Sequence, residues 1–236
     1  MIRYLLFLGF VSLSTSAGFA QCIASLDAKQ RVITTCQLPY SDIRNPIKLP
    51  RGQATYLGSE YVSFPFWQPG TLKLGASNRE VSCKISYNLV TQEVKCQLDT
   101  TASQETTVMP DAFTINGVDF IRYANQPNSA APAFYGMVLY AGPTKLVKKM
   151  QRKLQVTEPV DGYNKAEEFN GYYETLTSYF IQKEDKRLIP VSLTKKSILA
   201  ALGDRSDQVS ARLTAKKISV DELVNVLKQY DSQLAN

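Results

Sequence analysis

Along most of the chain apolar and polar positions alternate with a period of two, and only from Thr194 onward does the repeat lengthen to 3.6 residues. The alternation predicts strands over 60–67 and 71–74, separated by the turn signal Gln68, Pro69, Gly70. It predicts further strands over 81–87 and 93–98 around Asn88 to Thr91, and over 113–115 and 118–121 around Asn116 and Gly117. Asn-Gly is a strong hairpin signal because a type I′ turn needs two positive φ angles, which these residues tolerate. Two more hairpins are expected, 134–140 with 145–156 about Gly142 and Pro143, and 175–182 with 188–193 about Glu184, Asp185 and Lys186. The arm over 145–156 also fits a helix face, through Leu146, Val147, Met150 and Leu154. Near the N-terminus 22–26 and 31–36 flank the polar run Asp27 to Gln30, and 41–52 is an aperiodic, Pro-containing connector.

The 3.6-residue repeat predicts helices over 195–202, ending at Gly203, over 206–216, and from Ser219 to the C-terminus. The last has a capping box, Ser219 with Glu222, a staple of Ile218 on Leu223, and an apolar stripe of Leu223, Val226, Leu227, Tyr230 and Leu234. The expected fold is therefore α+β: a mainly antiparallel sheet, curled or barrel-like, followed by a C-terminal cluster of about three short helices. It divides into a leader (1–20), a Cys-bridged hairpin and connector (21–52), an antiparallel β domain (53–193) and a helical segment docked on it (194–236).

Arg3, an apolar run from Tyr4 to Val11 and the small residues before Ala20 have the layout of a signal peptide, with cleavage expected after Ala20. The run is too short to cross a bilayer, which takes about 20 apolar residues, and no later segment is long enough, so the mature chain is expected to lack a transmembrane segment. An exported chain with Cys22, Cys36, Cys83 and Cys96 is expected to carry two disulfides. The hairpin pattern sets Cys22 opposite Cys36 and Cys83 opposite Cys96, within reach of a bridge. The long spacings do not suit a zinc site, and no metal or other cofactor is expected.

Composition removes much chemistry. The 236 residues contain no histidine, so the commonest general base and the usual Ser-His and Cys-His pairs are absent. Ser192 and Lys195 match S-x-x-K, but the accompanying Ser86-Tyr87-Asn88 comes earlier in the chain and K-T-G is missing, so no penicillin-recognising site follows. Paired carboxylates remain, among Glu167, Glu168, Glu184, Asp185, Asp204, Asp207, Asp221 and Glu222, all at turns, loops or helix starts where solvated charge has a structural explanation.

Charge is more informative. The chain has 27 Lys and Arg against 21 Asp and Glu, a net +6, and residues 120–157 contain no acidic residue but six basic ones, Arg122, Lys145, Lys148, Lys149, Arg152 and Lys153. In a strand, Lys145, Lys149 and Lys153 share one face while Lys148 and Arg152 interrupt the face of Leu146, Met150 and Leu154. Two explanations are open: a charged edge strand that blocks edge-to-edge pairing, or contact of Lys145, Lys148, Lys149, Arg152 and Lys153 with an anionic partner. Tyr61 and Trp67, on one face of the predicted 60–67 strand, are candidates for stacking on a sugar.

The succession of an aromatic strand, Ser86-Tyr87-Asn88, the Gly142 hairpin, Tyr172-Tyr173 and Lys195-Lys196-Ser197-Ile198-Leu199 leading to Leu202-Gly203-Asp204 resembles a family of exported, β-rich envelope proteins of Gram-negative bacteria with a short C-terminal helical segment. The resemblance spans about 55–235 and implies architecture and compartment, periplasm or outer-membrane periphery, without an activity. The function expected is non-enzymatic binding or scaffolding, with an anionic envelope surface or another envelope protein as partner and no nucleic acid. The alternative is a carboxylate-based hydrolase of envelope glycans.

Overall fold

Alternation produces strands through most of the chain. The computed structural model describes residues 22–37, 53–75, 79–98, 104–123, 133–157, 168–203, 209–210, 213 and 216–234. Its strands are β1 (Cys22–Leu26), β2 (Val32–Gln37), β3 (Gln53–Leu57), β4 (Gln68–Leu74), β5 (Arg79–Tyr87), β6 (Val94–Gln97) and β7 (Glu105–Val108). There follow β8 (Ala112–Ile115), β9 (Val118–Tyr123), β10 (Phe134–Ala141), β11 (Lys145–Val156), β12 (Gly171–Gln182) and β13 (Leu188–Val191). All 13 join one sheet in the order β1-β2-β3-β12-β11-β10-β9-β8-β4-β5-β6-β7, with β13 also on β12. The described ladders are antiparallel except β3 with β12, which meet in parallel at Leu57 and Tyr172, so the sheet is mixed. Two helices follow, α1 (Lys195–Leu202) and α2 (Val220–Leu234).

This corrects the expected fold. In place of a mainly antiparallel sheet with about three clustered helices stands a large mixed sheet with two helices among the described residues. The middle helix expected over 206–216 lies largely outside them, although Val209 and Leu213 are buried in the cluster the helices form. The leader, 1–20, and the connector, 41–52, also lie outside the described residues. The β1–β2 hairpin continues the sheet through the pairing of β2 with β3.

Local chemistry explains which predicted elements form. Asn116 (φ 50°) and Gly117 (φ 77°) make the tight turn of the β8–β9 hairpin, with Ile115 opposite Val118. Residues 60–67, predicted as a strand, form an irregular crossing, and β4 begins at Gln68 instead. Gly70 is thus a strand residue. A Cβ there would lie 2.2 Å from the Thr114 carbonyl oxygen and 2.7 Å from Ile85 Cδ1, so its glycine serves close packing of β4 on β8 and β5.

Cys22 and Cys36 stand directly opposite and are joined by a disulfide, which fits an oxidising compartment. The second expected bridge is not formed: Cys83 and Cys96 are free and buried. Cys96 stands opposite Ile85, two residues from the expected register. The cause is the turn. Asn88 Oδ1 accepts from the amides of Val90 and Thr91, Gln92 takes a positive φ of 61°, and the loop lengthens until Tyr87 pairs with Val94.

Buried side chains form three clusters. One gathers Leu146, Ile181 and Val191 of the sheet with Ile198 and Leu202 of α1 and Leu223, Val226, Leu227 and Tyr230 of α2. The second packs Tyr87, Phe113, Phe120 and Tyr135 with Leu72, Ile85 and Met150; Tyr87 meets Phe113, Phe120 and Tyr135 edge-on at 5.3–5.7 Å between ring centres. The third, smaller, holds Cys36, Ala54 and Tyr56 under Leu154 and Tyr173.

The helices are capped as their sequences require. Thr194 Oγ1 accepts from Ser197 N at the start of α1, Gly203 closes it with a positive φ of 65°, and Lys183 Nζ reaches the Leu202 carbonyl at 2.8 Å. Ser219 Oγ accepts from Glu222 N before α2. Asp231 of α2, buried, accepts from Tyr140 Oη at 2.9 Å and from Thr144 N at 3.1 and 3.2 Å, and so ties the helix to the β10–β11 turn. Burial and then this bond to Asp231 raise the ordinary pKa of the Tyr140 phenol.

Replacing Asp231 with Ala strands the buried Thr144 amide and the half-buried Tyr140 hydroxyl and should cost about 2–3 kcal/mol, read as a lower urea midpoint with unchanged slope. Burial, and then the neighbouring Cys96, pushes the Cys83 thiol up to about 11. In the folded protein neither thiol should react with a disulfide reagent at neutral pH. Unfolding without reductant should release two thiols per chain; none on unfolding would show a second bridge.

Candidate functional site

The basic stretch falls on β11, which β12 flanks along its whole length and β10 flanks from Lys145 to Lys149; beyond that the loop after β5 bonds to it at Met150 and Arg152. Lys145, Lys148 and Lys149 therefore do not protect a sheet edge, and past them that side of β11 is met by the loop and not by a strand. Along β11 the side chains alternate between two faces, in the partition expected for a strand. Leu146, Met150 and Leu154 reach the three clusters, so Lys148 and Arg152 share the inward face, while Lys145, Lys149 and Lys153 line the outward face.

Arg152 is committed to structure. Its Nη1 donates to the carbonyls of Ser59 and Tyr61, and its Nε to Thr175 Oγ1 at 3.3 Å. Burial lowers its pKa, and its guanidinium fixes the crossing that follows β3. That crossing pairs with the end of β5: Leu89 N donates to the Glu60 carbonyl, Val62 N to that of Tyr87, and Tyr61 bridges to Asn88. The loop beyond β5 then reaches β11 directly. Arg152 N donates to the Leu89 carbonyl at 3.0 Å, and Gln92 Nε2 to that of Met150 at 3.2 Å. Since β4, β8, β9 and β10 lie between β5 and β11 in the ladder, these bonds require the sheet to bend back on itself. Lys148 stands between the helix cluster and the Tyr87 cluster, opposite Met137 and Tyr179.

On the outward face Lys145 is opposite Ala141 and Gln182, and Lys149 is opposite Gly136 and Ser178, so neither meets a carboxylate across either ladder. Lys153 is opposite Glu174, whose carboxylate accepts from Gln155 Nε2 at 2.7 Å. None of the three lysines has an ion-pair partner among the described residues. At about 3.3 Å per residue they recur every ~13 Å along the strand. Beside them is an aromatic cap. Tyr123 stacks on Phe134 at 5.5 Å, Phe134 meets Phe180 at 5.6 Å, and Lys149 Nζ lies 4.7 Å from the Phe134 ring centre. Burial lowers the Lys149 pKa and pushes the Tyr123 phenol up to about 12; that hydroxyl has no hydrogen-bond partner among the described residues.

The aromatic residues proposed for sugar stacking are not brought together. Phe66 stacks on Tyr61 at 4.9 Å and tilts against Trp67 at 6.1 Å, so it stands between the two in the irregular crossing. Burial, and then Glu60, pushes the Tyr61 phenol up to about 12.

The candidate carboxylates are dispersed. Glu168 is bound by Arg31 and Lys29, which hold it below its usual range, and the backbone and side chain of Arg31 do the same for Asp27. With the Arg31 guanidinium 4.8 Å from the Phe169 ring centre, this network fastens the β1–β2 turn to the chain entering β12. Asp185 is held low by Arg187, and Asp221 and Glu222 sit in the first turn of α2. Glu167, Asp204 and Asp207 lie outside the described residues. A general acid for glycoside cleavage needs a raised pKa, the opposite of Glu168 and Asp185. A cleft of about 370 Å³, lined by Gln92, Glu93, Met109, Arg122, Phe134 and Tyr135 among others, has Glu93 as its one carboxylate among the described residues. The lysine row escaped assignment by period alone because strand and helix both place residues four apart on one face; the ladder partners that leave it unpaired are not visible locally.

Comparison with family models, with curated proteins and with solved structures finds no match for the chain.

Arg152→Ala removes the clamp on the crossing and should destabilise the fold by about 2–3 kcal/mol, while Lys148→Ala on the same face should cost under about 1 kcal/mol. Urea midpoints of the two variants check this ordering.

Proposed function

We propose that the chain is a non-enzymatic binding protein of the bacterial cell envelope that associates with an anionic lipid surface through Lys145, Lys149 and Lys153. One observation carries the reading: these lysines share the outward face of β11 without ion-pair partners among the described residues, and at Lys145 and Lys149, where the strand is paired on both sides, a role in guarding an edge does not account for them. Export is supported by the leader-like segment and by the Cys22–Cys36 disulfide. The resemblance to exported envelope proteins agrees with the periplasm or outer-membrane periphery as the place of action. No helix among the described residues is long and apolar enough to cross a membrane.

The magnitudes make the association weak. Each lysine near an anionic surface contributes about 1 kcal/mol, so three contribute ~3 kcal/mol, roughly a hundredfold in the binding constant. Their ~13 Å spacing exceeds the Debye length of about 8 Å at physiological salt, so they repel one another little and act independently. The attraction fades as salt shortens that length.

The protein should co-sediment with phosphatidylglycerol-containing liposomes at low salt and dissociate as salt is raised. Replacing Lys145, Lys149 and Lys153 together by Gln should abolish co-sedimentation while leaving the far-ultraviolet dichroism unchanged, and Lys148→Gln should have little effect. Absence of binding by the unmodified chain at low ionic strength would falsify the reading, as would equal binding by the triple variant.

A further inference from the structure

Strand β12 is paired with β11 along its whole length, from Gly171 to Gln182. On its other edge β3 reaches it at Tyr172 and β13 pairs from Tyr179 to Gln182. Between these contacts no described strand pairs with it. The gap exists because β3 leaves: after Leu57 the chain turns at Gly58 (φ 88°) and crosses toward β5, with Ser59 and Tyr61 held by Arg152. Thr175, Leu176, Thr177 and Ser178 are consequently exposed on both faces of the sheet.

The direction of the free backbone groups follows from alternation. Arg152 N and the Met150 carbonyl are bonded to Leu89 and Gln92, so even-numbered residues of β11 turn their backbone groups away from β12. Gln151 and Lys153 therefore bond to β12, opposite Leu176 and Glu174. Glu174, Leu176 and Ser178 turn inward to β11, and Thr175 and Thr177 present their N–H and C=O groups to the vacant edge. The span from Tyr172 to Tyr179 is about 23 Å at ~3.3 Å per residue, room for a strand of about five residues.

We infer that this gap is a docking slot for one extended segment of a partner protein, which would add as a short strand beside Thr175 and Thr177 and complete the sheet between β3 and β13. The backbone dictates the kind of partner, since only an extended chain matches alternating N–H and C=O groups at strand spacing. The slot is bounded at both ends in the plane of the sheet, which admits a single strand and not the broad sheet edge of a second copy. From Thr175 to Ser178 its side chains are uncharged, Glu174 being the one charge in the gap, so the segment fitting that stretch is uncharged and rich in β-branched residues. Edges of this composition are ordinarily blunted by charge or proline, and this stretch has neither. The inference does not depend on the lysine face.

The test uses the full chain and a labelled heptapeptide, KTVTVTK, with a second form carrying N-methyl groups on alternate backbone amides. In the free protein the Thr175 and Thr177 amides should exchange rapidly. The unmethylated peptide should raise fluorescence anisotropy and slow both amides at least tenfold, and the methylated form should bind at least tenfold more weakly. Thr177→Pro removes an outward N–H without removing a bond to β11, and should also weaken binding tenfold, whereas Thr177→Ala should not. Slow amides in the free chain, indifference to methylation or no binding would overturn the inference, and concentration-dependent dimerisation that protects the same amides would replace the partner by a second copy. The methylation comparison decides the matter even if Thr177→Pro does not fold.

Discussion

The inward face of β11 sets the terms for the rest of the molecule. Leu146, Met150 and Leu154 enter three different clusters because Lys148 and Arg152 stand between them. A face of five apolar residues would build one continuous core; a cation at every second place divides it, since neither charge can be buried without compensation. Arg152 finds compensation in the carbonyls of Ser59 and Tyr61. Taking those carbonyls carries the chain after β3 across the inward face to the end of β5, whose loop then closes on β11. The bend of the sheet and the separation of its cores thus share one cause.

That crossing has a second consequence. A strand that remained beside β12 would cover its edge up to β13; the same diversion that supplies carbonyls to Arg152 leaves Thr175 and Thr177 uncovered. The opposite end of β12 is secured by other means, through Arg31, which joins Asp27 of the first hairpin to Glu168 and Phe169. Glu168 is an exposed carboxylate, so its pair with Arg31 contributes geometry more than energy, while Asp27 is largely covered and also accepts from the Arg31 backbone. The helices are secured by Asp231, whose bonds to Tyr140 and Thr144 tie α2 to the turn that starts β11.

How far the sequence discloses this depends on whether an element is determined locally. The β8–β9 turn is legible because Asn116 and Gly117 carry its dihedral requirement themselves, and so are the end of α1 at Gly203 and the cap of α2 at Ser219, which act on neighbouring backbone groups; the Thr194 cap of α1 is seen only in the structure. Cys22 and Cys36 were paired correctly because a short hairpin fixes their opposition. Cys83 and Cys96 were not, because the register there depends on the Asn88 side chain lengthening a turn. Residues 60–67 read as a strand since Tyr61, Phe64 and Phe66 suit one, but their backbone bonds go to Arg152 and β5, partners remote in sequence. The lysine row was visible in composition and in period; that β11 lies inside the sheet, which decides what the row is for, is a property of strand order.

The placement of charge bears on that purpose. Sheets guard their edges with lysine and proline because an uncovered edge recruits other chains. Here the distribution is inverted. The terminal strand β1 reads Cys-Ile-Ala-Ser-Leu with no charge, β7 has the single Glu105, which pairs with Lys95, and the free stretch of β12 is Thr-Leu-Thr-Ser. The densest positive charge sits instead on β11, whose backbone is paired on both sides from Lys145 to Lys149 and needs no such defence there. Interior strands ordinarily gain from apolar residues on any face they can cover. Lys145 and Lys153, facing away from all three clusters, add nothing to the core, and Lys149 does no more than lie over the Phe134 ring beside the buried Val147. Their contribution lies in the field they project outward, which is the physical basis for assigning this face to an anionic partner.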